Sequence, residues 1–266
     1  MGLFLHKLNP LTEFSISLGP VYIERLIESS LIKNGSSDIG RLSGVEKIQG
    51  YIDFLNGRTK KLNKKESLFV DYFKGFFYQQ MAERSTEIDN KEKYQEEALA
   101  HYQAYLKLAK GTEESRYYSQ WQVGRLQDQF NYPWSIVKDS LLKANAIDPI
   151  RGESINDLII HYTSISDWAN AYTYSKFTIV HFFSRNPIAK RRWYVDPDSY
   201  NGNVLDTHIT ICRHLNYWSE AETTYRQLLN YVVEHIHEFQ KIKKPLLQIV
   251  EQMYSDRIID KMYTPG

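Results

Sequence analysis

Apolar residues along the chain recur at spacings of three and four. They run Tyr22, Leu26, Ile27, then Val45, Ile48, Ile52, Leu55, then Leu68, Phe69, Tyr72, Phe73, Phe76, Phe77. That period puts one apolar stripe on a helix, whereas a half-buried strand would alternate every second residue. Breakers separate the periodic runs at Asn34 to Ser37, Asn56-Gly57, Asp89-Asn90, Lys110-Gly111, Asn131 to Pro133, Asp148-Pro149, Asn186-Pro187 and Pro245. The pattern predicts about eleven helices of roughly two to five turns and no strand, an all-α fold. Residues 1–19, with Pro10 and Gly19, read as an irregular lead-in, and 20–266 as one helical repeat domain.

The helices repeat. A tetratricopeptide unit is about 34 residues, two antiparallel helices with small residues where they touch and a Pro ending the second. In "VKDSLLKANAIDP", Val137, Leu141, Ala144 and Pro149 take the positions of such a second helix. Ala171 follows Val137 by 34 residues, with Ser175 one turn on and Leu158 and Tyr162 in the helix before. Ala98, Tyr102 and Tyr105 form an earlier copy, and Ala221, Tyr225 and Leu228 a later one. The step from Ala171 to Ala221 is 50 residues, which leaves a connector at 186–202 inserted between two units. The expected architecture is a right-handed α-solenoid of tetratricopeptide-like antiparallel helix pairs.

Charge narrows the function classes. Lys plus Arg number 33 against 32 for Asp plus Glu, so no strong field draws the chain to nucleic acid or an anionic membrane. Neither partner is expected. The single cysteine, Cys212, excludes an internal disulfide framework and any multi-cysteine zinc cluster. No apolar run reaches membrane-spanning length, and a cytoplasmic location is expected. The 20 Tyr, 12 Phe and 5 Trp are first of all material for helix-on-helix packing.

Residues from about Glu113 to Asn230 resemble the tetratricopeptide-like segment that follows the catalytic domain in many bacterial family-2 glycosyltransferases. The resemblance rests on "EESRYYSQWQVGRL", "YPWSIVKDSLLKANAIDPIRGE", "DWANAYTYSKF", "WYVDPDSY", "VLDTHI" and "YWSEAETTY". It implies that the run Trp193 to Tyr200 is an inter-repeat connector, and it puts a glycosyltransferase among the candidate partners. The alternating strands, nucleotide-binding loop and separate acid motif of a glycosyltransferase catalytic domain are missing, so the activity is not inherited.

The connector's "DPD", Asp196 to Asp198, spells a divalent-metal motif of nucleotide-sugar enzymes. Hard cations need several converging oxygens, and two carboxylates around a Pro before a helix read better as a turn with Asp198 or Ser199 near the helix start. His208 and Cys212 share a helix face as a potential thiolate-imidazole pair, but Cys212 falls in a core phase and reads as packing. His235 and His237, two apart, point to opposite sides of a helix. The basic run Gly57 to Lys65 reads as a solvated linker. No catalytic residue, metal ligand or cofactor is expected.

What remains is binding. In solenoids the first helices of the units line an extended wall for a partner. Their non-core phases hold Tyr118, Trp121, Arg125, Asn156, Thr163, Asp206, Thr210 and Arg213, a mixture suited to an extended peptide or partner helix. Arg191 and Arg192 beside Trp193 and Tyr194 add a basic-aromatic lip suited to acidic groups. The expected function is non-catalytic binding of a protein or peptide. The alternative is an accessory or C-terminal module of a glycosyltransferase system, contributing acceptor binding or dimerisation. The helix after Pro245 is expected to cap the stack or pair with a second copy.

Overall fold

The computed structural model describes residues 44–58, 64–108, 111–183, 196 and 199–234. Outside this set lie the lead-in, the helix predicted around Leu26, Arg191, Arg192, Trp193, Tyr194, Asp198, His235, His237 and the helix after Pro245. The described residues form nine α-helices and no strand, an all-α fold. In chain order these are α1 (Gly44–Arg58), α2 (Lys64–Arg84), α3 (Ile88–Lys107), α4 (Glu113–Gln129) and α5 (Trp134–Ile147). Then follow α6 (Glu153–Ser164), α7 (Trp168–His181), α8 (Gly202–His214) and α9 (Trp218–Glu234). None of them is long and apolar enough to cross a membrane.

Each helix packs on its neighbours in sequence, most extensively within the pairs α2–α3, α4–α5, α6–α7 and α8–α9. The repeat positions supply those interfaces. Ala98, Val137, Ala171 and Ala221 are all buried, as are Tyr102, Leu141, Ser175 and Tyr225 one turn later. Leu158 and Tyr162 are buried in α6 as expected. The close approach that needs a small residue is visible at two glycines. A Cβ on Gly124 would lie 2.7 Å from Leu141 Cδ2, and one on Gly75 would lie 2.8 Å from the Tyr102 ring. Both glycines sit on the first helix of a pair and face the second.

The junction inside three of the pairs is one device used three times. Asn131, Ser166 and Asn216 each hold φ near +60°, the left-handed conformation in which a helix commonly ends. After each, the next N–H reaches back to a carbonyl in the last turn: Tyr132 to Gln127, Asp167 to Tyr162, and Tyr217 to Cys212. The second helices then begin with Trp134, Trp168 and Trp218, spaced 34 and 50 residues, the same steps as from Val137 to Ala171 and from Ala171 to Ala221. Trp134 stacks on His161 in α6, and Trp168 stacks on His214 in α8. A tryptophan opening one pair's second helix thus clasps the end of the following pair's first helix.

Candidate functional site

Of the residues expected to line the first helices, the structure divides solvent-facing from packing groups. Arg125 on α4 and Asp206, Thr210 and Arg213 on α8 are exposed; Asn156 and Thr163 on α6 are half-buried. Thr163 turns its hydroxyl onto the carbonyls of Ile159 and Ile160 in its own helix. Tyr118 and Trp121 need a correction, because they are buried, at 4% and 6% exposure. Tyr118 sits edge-on to Tyr72, Tyr102 and Trp121. Both rings join helices rather than offering themselves to a partner.

Trp121 nevertheless organises the surface above it. Its Nε1 donates to Asp157 Oδ2 of α6 at 2.5 Å, and the Arg125 guanidinium lies over its ring at 5.3 Å from the centroid. Burial raises the Asp157 carboxyl to about 6, against the Trp121 hydrogen bond and the Arg125 charge, with Asp196 and Asp128 pushing the same way as burial. The connector therefore returns Asp196 to the neighbourhood of α6. Because the folded-state value lies above the unfolded one of about 3.9, the folded chain holds the extra proton, and stability falls as pH rises from about 4 to about 6. Asp157→Asn is expected to remove that dependence: the wild type should lose ground to the variant between pH 4 and pH 7 in urea unfolding. A gap between the two that stays constant with pH would refute this.

The connector is anchored by a buried ionic cluster that the sequence reading did not single out. Arg151 and Glu153 are both fully buried and form a two-pronged pair, Nε to Oε2 at 3.1 Å and Nη2 to Oε1 at 2.7 Å. Glu153 Oε2 also accepts from Tyr117 Oη of α4 at 3.0 Å and from Tyr200 Oη of the connector at 2.9 Å. Tyr117 Oη accepts from the Ser154 N–H, Tyr200 Oη accepts from the Gly152 N–H, and the Arg151 guanidinium covers the Tyr117 ring. The "RGE" after a Pro reads as exposed loop by composition. Its burial comes from being the point where α4, α6 and the returning connector meet.

That geometry refines the turn expected at the end of "DPDSY". Ser199 donates its N–H to the Asp196 carbonyl at 3.1 Å. The cap of α8 is Asn201, whose side chain accepts from the Asn203 N–H, so the expectation of Asp198 or Ser199 in that role is corrected for Ser199, which is fully buried.

His208, Cys212 and Glu220 form a second cluster where α7, α8 and α9 meet. His208 and Cys212 are buried, with Cys212 Sγ 3.4 Å from His208 Nε2. Glu220 Oε1 lies 3.1 Å from the same nitrogen, and Glu220 Oε2 accepts from Tyr172 Oη at 2.7 Å. Burial and the nearby Glu220 push the Cys212 thiol up to about 11, which opposes the nucleophilic reading of the His208–Cys212 pair. Glu220 opens onto a surface cleft of about 670 Å³ lined also by Lys176, Tyr217, Trp218 and Thr223.

No family model matches the chain, and no curated protein or solved structure matches it either.

Proposed function

We propose that the chain is a right-handed solenoid of tetratricopeptide-like helix pairs that binds a protein or peptide along the wall made by its first helices. The reading is carried by what those helices expose. Their aromatic mass is buried, while Arg125, Asp206, Thr210 and Arg213 face solvent with both signs of charge. Such a surface recognises an extended chain by directed polar contacts, on a scaffold whose rigidity comes from the packed rings beneath. The repeated left-handed junctions and the Trp134 and Trp168 clasps support the stacked arrangement.

A second reading is a module of a glycosyltransferase system. It rests on the resemblance of the sequence run that includes "WYVDPDSY".

The test is affinity capture from the native host lysate, comparing the wild type with an Arg125→Glu, Asn156→Ala, Arg213→Glu variant shown by circular dichroism to be folded. A partner held by the wild type and lost by the variant is the expected result. A glycosyltransferase in that catch would favour the second reading. Equal catches, or none, would remove the first-helix wall as the working surface.

A further inference from the structure

His208 is held from both sides of its ring. Nδ1 shares a hydrogen bond of 2.8 Å with Ser175 Oγ, which also reaches the Tyr172 carbonyl at 3.1 Å. Nε2 meets Glu220 Oε1 at 3.1 Å and Cys212 Sγ at 3.4 Å. In the tautomer with the proton on Nδ1 and Ser175 Oγ accepting it, the Nε2 lone pair faces the same small space as the carboxylate and the sulfur.

We propose that His208 Nε2, Cys212 Sγ and Glu220 Oε1 form a binding site for one divalent transition ion of the zinc class. The three atoms already lie within 4.8 Å of one another. Nitrogen, thiolate sulfur and one carboxylate oxygen are the donor types zinc combines, and three protein ligands leave a fourth position open. The second layer is also in place. Ser175 orients the imidazole from the opposite nitrogen, and Tyr172 holds the other Glu220 oxygen, the arrangement that directs metal-bound histidine and carboxylate. Lys176 Nζ contacts Glu220 Oε1 itself, so a cation already occupies the outer side of the cluster on an exposed, flexible side chain. On binding, the ion displaces that ammonium toward the cleft, and the Cys212 thiol releases its proton to solvent as its sulfur bonds the metal. The ion would join α8 to α9.

The probe is cobalt(II) added to the full chain under reducing, chelator-free conditions, followed by competition with zinc. The expected result is one equivalent bound with a near-ultraviolet sulfur-to-cobalt charge-transfer band that zinc abolishes. Cys212→Ser should lose the band, and Glu220→Gln should weaken cobalt binding at least tenfold. Because Cys212 is buried, circular dichroism accompanies its variant; Glu220 is partly exposed, and its variant decides the matter if the first fails to fold. No sulfur-to-cobalt band in the wild type would overturn the site, as would Glu220→Gln binding with unchanged affinity. Uptake without the sulfur band would assign the ion to other ligands and overturn it equally. None of these outcomes depends on partner capture.

Discussion

Replacing Glu153 with Ala is expected to cost about 3–5 kcal/mol, the range for breaking a buried ion pair from one side. The size follows from what the carboxylate holds. It satisfies two N–H groups of a fully buried guanidinium and two tyrosine hydroxyls, one from α4 and one from the connector. Without it, the Arg151 guanidinium remains in the interior and loses its two-pronged partner, with Glu114 Oε1 standing 3.9 Å from Nη1. Urea unfolding of the wild type and Glu153→Ala measures the loss as a shift in midpoint at constant slope. Tyr200→Phe should lose less, about 1–3 kcal/mol, by taking the partner from the buried Gly152 N–H. An Arg151→Met, Glu153→Leu double variant should recover much of the single-variant loss, because apolar replacement of both partners is often tolerated. If Glu153→Ala costs under about 1 kcal/mol, the cluster does not anchor the connector.

Helix existence and pairing were legible because burial on these helices is periodic. Ala98, Val137, Ala171 and Ala221 could be picked out by spacing, and all proved buried. The same logic failed on α4. Phase assigns Tyr118 and Trp121 to an open face, but α4 contacts α2, α3, α5 and α6, and nearly every side chain from Tyr117 to Leu126 is enclosed. A helix enclosed over most of its circumference, with Arg125 the one exposed residue between Tyr117 and Leu126, has too narrow a polar face to read. Its polar members, Ser119, Gln122 and Gln127, are buried too. The Arg151–Glu153 pair was hidden for a different reason. Two opposite charges separated by one glycine look like solvated loop, and only the third dimension brings Tyr117 and Tyr200, 83 positions apart, onto one oxygen. The spacing of Trp134, Trp168 and Trp218 was a readable signal of the repeat. It stands three residues ahead of Val137, Ala171 and Ala221 and would have marked where each second helix begins.

The repeat makes a second large effect predictable at the α4–α5 contact. Gly124 and Leu141 meet there so closely that any Cβ on Gly124 would press to 2.7 Å on a Leu141 methyl. Thirty-four residues on, the equivalent positions are Leu158 and Ser175 in α6 and α7, both fully buried. The large residue has changed helix: glycine on the first helix and leucine on the second in one pair become leucine and serine in the next. If the two interfaces are copies of one design, Gly124→Leu alone should destabilise by about 1–3 kcal/mol or more through overpacking. Leu141→Ser alone should lose a buried side chain, at about 2–5 kcal/mol by analogy with Leu→Ala. The double variant transplants the neighbouring arrangement and should be less damaged than the sum of the two singles, with a coupling of about 1–3 kcal/mol. Urea unfolding of all four proteins closes that cycle. Strictly additive losses would mean that the two contacts differ in geometry and that the 34-residue correspondence ends at the level of pattern. A coupling in the expected direction would mean that side-chain volume is exchanged across the helix pair, which only equivalent interfaces allow.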